Sequence, residues 1–421
     1  MSVKNRLKSY ILSRSIGDHA RKIGIEVECF LFNKNGKRIP VNKGDVFSAS
    51  DLLEELSLKS KNSVDQYSLE PGGQIEWASP VFENIQDLDD SFINHKNFLD
   101  NILKREGLNA LYIGVDPFNE PSEIELINHN KYRLMNSNME RKGTLGKWMM
   151  RNTSSIQINY DIKSEKDLEE TTYILDCLHP ILSYLFCYSP FRKREFINDL
   201  NLRNHIWENT DNDRCRSLIN HGISDQKGLL DLYCDFVCRV PGIFKIDNKY
   251  NIQGTNISIG EELNNKYLKG ELRNQDIKIS LHQIFTNVRL KTLIELRDID
   301  CLPVEYIMAP VAFTSGLITS KSIRTKLLNL FNNWTFDEKV FWNKLASSLN
   351  KNQMGPDNKK FIDWVKFFGD LSLEGLAKRT FGEEKYFLGF FNNIILNGTL
   401  SEQYQKKVST SSEPFEKLIL R

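Results

Sequence analysis

The strongest constraint on this chain is one alternation shared by four short segments that lie far apart along it. In GIEVECFLF (24–32), Ile25, Val27, Cys29 and Leu31 fall on one side of an extended strand and Glu26 and Glu28 on the other, because side chains alternate with period two. GQIEW (73–77) sets Gln74 and Glu76 opposite Ile75 and Trp77, and SSIQINYD (154–161) sets Ser155, Gln157 and Asn159 opposite Ile156, Ile158 and Tyr160. VRLKTLIELR (288–297), read as one more strand, sets Arg289, Lys291, Glu295 and Arg297 against Val288, Leu290, Thr292, Ile294 and Leu296. A strand with one wet face explains any single segment. It explains the set less well, because Glu, Gln, Asn and Arg recur where Thr, Ser and Lys would cover a plain solvated face.

The second segment follows a turn. In LEPGGQIEWASP (69–80), Glu70 and Glu76 flank a Pro-Gly-Gly run, and proline presets φ while glycine accepts positive φ. The turn therefore brings the two carboxylates toward each other. If the segments join in one sheet, Glu26, Glu28, Glu76 and Glu295 share a face with Glu70 near its rim.

Two carboxylates about 4 Å apart repel by roughly 4 kcal/mol at an effective dielectric near 20. A shared proton relieves one such pair, and a divalent cation relieves three or four. Oxygen-only ligands point to a hard ion, Mg²⁺ or alternatively Mn²⁺. The seven histidines form no HExxH or other close metal pair. Arg289, Lys291 and Arg297 on the same face then read as phosphate partners, since Mg²⁺ binds few carboxylates together with substrate phosphates and Arg forks match phosphate oxygens. The pattern is that of a nucleotide-triphosphate site without a P-loop, and neither GxxxxGK[ST] nor a strand-linked GxGxxG occurs.

The near balance of charge, +1 overall, argues against nucleic acid as a partner. No apolar run reaches the roughly 18 residues that span a membrane, and a signal peptide is not expected from MSVKNRLKSYILSRSIGDHA. Seven cysteines without CxxC spacing favour reduced thiols and a cytoplasmic setting. Cys234 and Cys238, one helical turn apart, read as helix packing. Helical periodicity marks residues 84–107 and a run following Ser164, and from about Pro303 onward helix-like segments dominate. The polar stretch 246–276 reads either as a flap over the site or as a surface excursion.

GIEVECF, LEPGGQIEWAS, KYRLMNSNMERKGTLGKWMMRNTSSIQINYD, LRNHIWENTDNDR and IFTNVRLKTLIELRDIDCLP, in that order, resemble the glutamate-cysteine ligases of plant and proteobacterial type. The ergothioneine-pathway ligases are close relatives. The resemblance runs from about residue 24 to about residue 320. It implies an α+β fold, a glutamine-synthetase-like curved antiparallel sheet with helices on its outer face and a helical C-terminal part. The whole chain 1–421 would be a single catalytic domain, with a sheet-based core over about 20–320 and helices over about 321–421.

The resemblance also implies the reaction: ATP phosphorylates the γ-carboxylate of L-glutamate, and the amine of L-cysteine displaces phosphate to give γ-glutamylcysteine, the first step toward glutathione or a related thiol. Carried over by position, Glu26, Glu28, Glu76 and Glu295 are metal ligands with catalytic roles, Gln157 lies near a metal, and Asn159 accompanies it at the nucleotide. Arg297 of the E-x-R faces the phosphates. Arg203 and Arg214 match R-x-x-I-W…D-x-x-R, where at least one is expected to hold the α-carboxylate of glutamate. Each is alternatively a surface ion pair with Asp211 or Asp213. Trp207 is a pocket wall or a core residue, and Thr144, Gly146 and Met149 shape the pocket by packing. Glu70 is the candidate for taking the amine proton. The partners are these small molecules, with the protein a monomer or homodimer.

Plant members carry Gly-Ala-Asp-Gly-Gly-Pro-Trp after the E-x-R, where this chain has DIDCLP (298–303), and they carry Lys where this chain has Cys29. By the resemblance both changes lie near the region expected to read substrate, which leaves open a ligase that joins glutamate to a different amine. A glycoside hydrolase built on paired carboxylates gives Arg289 and Arg297 no task. A non-catalytic protein on a decayed scaffold gives no reason to keep every Glu.

Overall fold

A computed structural model describes residues 2–60, 65–247 and 251–420. The alternating segments do join in one sheet. Its strands are β1 (Ile23–Asn33), β2 (Gln66–Leu69), β3 (Ile75–Ala78), β4 (Leu108–Leu111), β5 (Ser155–Tyr160), β6 (Val288–Leu290) and β7 (Ile294–Asp300). They lie in the order β6-β7-β5-β1-β3-β2, with β4 paired to the C-terminal half of β1, and every pairing is antiparallel.

Register then places the polar residues. Glu28 faces Glu76 across β1 and β3, Glu26 faces Gln157 across β1 and β5, and Glu295 faces Asn159 across β7 and β5. Directly opposed residues in an antiparallel pair share a face, so one face collects them all. The other face carries Ile25, Val27, Ile75, Trp77, Ile156, Ile158 and Leu296, all buried. Helices cover it: the ring of Trp77 meets Phe92 of the helix Ile85–Glu106, and the Tyr160 hydroxyl bonds Thr314 Oγ1 at 2.6 Å in the helix Met308–Thr319.

The segment 288–297 is not one strand. It turns at Lys291–Leu293, where the Lys291 N–H donates to the Leu293 carbonyl at 3.0 Å, and β6 folds back on β7. Arg289 and Glu295 still share a face because the hairpin sets them directly opposite each other. A register shift between Leu296 and Ile299 then bends β7, as bulges do.

The helix expected over 84–107 is Ile85–Glu106, capped by the Asn84 side chain and ended by Gly107 at φ 68°. Ser164 caps the next helix by accepting from the Asp167 N–H at 3.2 Å. That helix stops at Cys177 and a new one runs His179–Phe186 with Pro180 in its first turn, a position where the missing N–H costs nothing. Beyond Asp300 the described residues contain no strand, only helices. Two of these, Met308–Thr319 and Phe361–Arg379, approach so closely that a Cβ on Gly375 would sit 1.8 Å from the Gly316 carbonyl oxygen.

The polar stretch 246–276 contains the end of a hairpin (Phe244–Ile246 with Ile252–Gly254) and the helix Ile259–Leu268, and residues 248–250 lie outside the described residues. Cys234 is buried and Cys238 half-buried on the helix Leu229–Arg239, and neither is in a disulfide. Among the described residues no helix is long and apolar enough to cross a membrane.

Candidate active site

The polar face of the sheet floors a cavity of about 380 Å³. Its rim is the Pro-Gly-Gly turn, closed by Gly73 N–H to the Glu70 carbonyl at 2.9 Å and Glu70 N–H to the Gln74 carbonyl at 2.9 Å. Gly73 has φ 78°, in the left-handed region. Gly72 lies so close to the chain at Arg151 that a Cβ there would be 2.6 Å from the Arg151 Cα. The turn is thereby fixed in place, and with it the approach of Glu70 to Glu76.

One half of the cavity is acidic. Glu28, Glu70 and Glu76 each offer an oxygen within 4.8 Å of the others. Burial, and next the neighbouring Glu76, push the Glu28 carboxyl up to about 7, against hydrogen bonds from the Ser155 N–H at 2.9 Å, Ser155 Oγ at 3.0 Å and Gln157 Nε2 at 2.9 Å. Burial and then nearby carboxylates raise Glu70 and Glu76 as well. Ser68 Oγ donates to Glu76 at 2.5 Å. Glu26 lines the same cavity, where Asn159 Nδ2 donates to it at 3.0 Å.

The other half is basic. Glu295 is fully buried among three cations: Arg289 (Nη2 at 3.0 Å), Lys291 (Nζ at 2.6 Å) and Arg297 (Nη1 at 3.3 Å). Burial pushes its carboxyl up, but the three cations outweigh that and hold it well below the usual carboxylate range. All three cations also line the cavity, so a single carboxylate leaves this half with a cationic excess.

Several sequence expectations change here. The structure does not bring Glu295 into the carboxylate cluster: it is the counter-ion that gathers Arg289, Lys291 and Arg297, and Glu70 occupies the third place instead. Asn159 does not line the cavity and serves Glu26. Arg214 is 0% exposed, with Nε on Asp211 at 2.7 Å, Nη1 on the Gln283 carbonyl at 3.1 Å and Nη2 on the Pro241 carbonyl at 2.6 Å. Every nitrogen of its fork is committed to the core, and it does not line the cavity.

Arg203 does line the cavity. Its Nη2 donates to the Arg297 carbonyl at 3.0 Å, Asp300 stands 3.9 Å from Nη1, and its buried Nε has no hydrogen-bond partner among the described residues. Trp207 is a cavity wall, with the guanidinium carbons of Arg203 and Arg297 5.8 and 6.0 Å from its ring centroid. Gln157 accepts from Arg297 and donates to Glu28, linking the basic half to the acidic half.

Sequence reasoning missed Lys131 and His282, which also line the cavity. Lys131, on the first turn of the helix Asn130–Lys142, has no carboxylate within 4.0 Å among the described residues. Burial lowers its pKa, and Glu70 pulls it back up. Burial and the adjacent Arg289 and Lys291 push His282 down to about 2, which keeps it neutral.

The donor set suits a hard divalent cation. It consists of oxygens, three carboxylates converge, and each has a raised pKa that a positive charge would reverse. Glu28, Glu70 and Glu76, with Glu26 and Gln157 beside them, are the residues positioned to hold it.

Residues 22–403 match the model of glutamate-cysteine ligase family 2. The chloroplastic glutamate-cysteine ligase A of Oryza sativa subsp. indica is 28% identical over 417 residues, covering 96% of this chain and 84% of that protein. The chloroplastic glutamate-cysteine ligase of Arabidopsis thaliana is 29% identical over 419 residues, covering 96% and 79%. Among solved structures, glutamate-cysteine ligase from Francisella tularensis in complex with AMP aligns over 96% of this chain and 88% of its own, with a TM-score of 0.61 and 12% identity. A bifunctional glutathione synthetase from Pasteurella multocida aligns over 99% of this chain and 52% of its own, with a TM-score of 0.51 and 11% identity. At such identities the structural likeness speaks for the fold.

Proposed function

The chain belongs to glutamate-cysteine ligase family 2, and from that premise we propose that the divided cavity carries out ATP-dependent formation of γ-glutamylcysteine through a γ-glutamyl phosphate. The observation that carries this reading is the separation of charge within one cavity. Four carboxylates, Glu26, Glu28, Glu70 and Glu76, line it, three of them converging, and Arg289, Lys291 and Arg297 line it as a separate group gathered on Glu295, with Lys131 beside Glu70. A triphosphate needs the second set, and an ion that screens it needs the first.

Arg289, Lys291 and Arg297 bind phosphate oxygens, and because Glu295 fixes them before substrate arrives, little reorganisation is needed as charge shifts in the transition state. Mg²⁺, when bound, would neutralise phosphate charge and leave the γ-phosphorus open to attack. The unpartnered edge of Arg203 and the wall of Trp207 receive the α-carboxylate and backbone of glutamate, which presents the γ-carboxylate to that phosphorus. The carboxylate oxygen bonds to phosphorus as ADP leaves. The cysteine nitrogen then attacks the acyl carbon, phosphate departs, and the nitrogen gives up a proton. The acyl phosphate is already activated, so no protein nucleophile is needed.

A second reading keeps the acyl phosphate and changes the amine. It is favoured by the stretch 298–303, which lacks the glycines of plant members and sets buried Asp300 between Arg203 and the Tyr188 N–H, at 3.9 and 2.8 Å. The unpaired cysteines support a reducing, cytosolic compartment. ADP release with glutamate, cysteine and Mg²⁺ each omitted in turn tests the function. Full activity only with all three is the expected result, and equal rates across a panel of other amines would favour the second reading.

A further inference from the structure

At the end of the sheet where the chain enters β1 and leaves β5, a second cavity of about 400 Å³ shares no lining residue with the catalytic one. Five cationic side chains line it, Arg21, Lys163, Lys321, Arg324 and Arg379, against one carboxylate, Glu83. They arrive from separate stretches: the approach to β1, the segment after β5, the first turn of the helix Lys321–Asn333 and the last turn of the helix Phe361–Arg379.

The three arginines are built in. Arg21 is 7% exposed, ion-paired to Asp167 and 3.5 Å from Thr171 Oγ1. Arg324 lies 3.7 Å from Asp167 and 3.7 Å from Glu170, and its Nη1 donates to the Ile318 carbonyl at 2.8 Å. Arg379 is ion-paired to Glu383, and it donates to Thr319 Oγ1 at 3.1 Å and to the Glu83 carbonyl at 2.9 Å. The carboxylates Asp167, Glu170 and Glu383 thus anchor the arginines without lining the cavity.

Even with these anchors the cations outnumber the carboxylates five to four, and in the wall itself five to one. Arg21 and Arg324 share Asp167; the Nε of Arg21 is buried without a hydrogen-bond partner, and that of Arg324 has only Glu170, at 3.7 Å, too far for a hydrogen bond. Unmet guanidinium donors beside a like charge are costly, and an anion in the cavity removes that cost. Two partly unmet forks, Arg21 and Arg324, and two flexible ammoniums converging from different directions, with Arg379 held by Glu383 beside them, suit a tetrahedral oxyanion better than a planar carboxylate. The ring of Phe381, 52% exposed, also lines the cavity, with the Arg379 guanidinium 5.5 Å from its centroid.

We infer that this cavity is a phosphate-binding site, separate from catalysis, for free phosphate or for the phosphate group of a small molecule whose ring lies on Phe381. Calorimetric titration of the full chain without Mg²⁺ tests it, using inorganic phosphate and phenyl phosphate as probes. Lys163→Ala/Lys321→Ala, which removes two side chains without ion pairs among the described residues, should weaken inorganic phosphate binding about tenfold, the scale of a lost charge-assisted contact. Lys291→Ala, in the catalytic cavity, should remove any phosphate held there and leave the binding that depends on Lys163 and Lys321 in place. Phenyl phosphate binding more tightly than phosphate, with the gain lost in Phe381→Ala, identifies a ring-bearing ligand, and equal affinities identify free phosphate. The inference is overturned if the wild-type chain does not bind phosphate, or if Lys291→Ala weakens binding while the double lysine variant does not. Neither result bears on ligase activity, which is assayed separately.

Discussion

Stripped of divalent cations, the protein should lose stability as pH rises from mildly acidic to neutral. The carboxyl of Glu28 is pushed from its ordinary 4.5 up to about 7, first by burial and then by Glu76. Between those values the folded state holds a proton that the unfolded chain has released, so raising the pH favours unfolding. At about 1.4 kcal/mol per pKa unit, Glu28 alone costs the metal-free fold about 3 kcal/mol by the time it is ionised. Glu70 and Glu76 shift in the same direction for the same causes.

A bound divalent cation supplies the missing counter-charge and competes with those protons. The stabilisation that Mg²⁺ confers should therefore be larger at about pH 8 than at about pH 5. Urea unfolding followed by tryptophan fluorescence, in EDTA and in Mg²⁺ at both pH values, measures the difference. A Glu28→Gln variant should lose most of it. A Mg²⁺ increment that is equal at the two pH values, or larger at the acidic one, would refute the reasoning.

Glu295→Gln leaves Arg289, Lys291 and Arg297 clustered without their counter-ion and should cost about 3–5 kcal/mol in urea unfolding, with ligase activity lost. Arg203→Lys should raise KM for glutamate about tenfold by removing a fork, whereas Arg214→Lys should lower the unfolding midpoint and leave that KM in place. Gly72→Ala places a Cβ 2.6 Å from the Arg151 Cα. It should destabilise by about 1–3 kcal/mol and weaken Mg²⁺ binding, measured by calorimetry, because the turn that sets Glu70 against Glu76 is displaced.

The sheet face was legible because period-two alternation determines which side chains share a side, whatever the strand order. Glu26, Glu28, Glu76 and Gln157 could be grouped on that ground alone. The hairpin at 291–293 was not legible, because Lys-Thr-Leu carries none of the turn residues that mark such a reversal. The surroundings of Glu295 and Arg214 were not legible for a common reason. Whether a charged residue faces a ligand or a counter-ion depends on neighbours supplied by tertiary structure: Arg289 and Lys291 for the first, Gln283 and Pro241 for the second. Lys131 gave no signal because a lysine on an exposed first turn and one roofing a cavity look alike in sequence. The break between Cys177 and His179 did have a marker, Pro180. The basic cavity around Arg21 draws on residues more than 350 positions apart, Arg21 and Arg379, and no local pattern marks it.

Crystals grown with Mn²⁺ and a non-hydrolysable ATP analogue, with data collected at the manganese absorption edge, test the divided cavity most directly. Anomalous density within coordination distance of Glu28, Glu70 and Glu76, with the analogue's phosphates on Arg289 and Arg297, is the result predicted. Manganese bound elsewhere, with those three carboxylates protonated and empty beside the nucleotide, would contradict it.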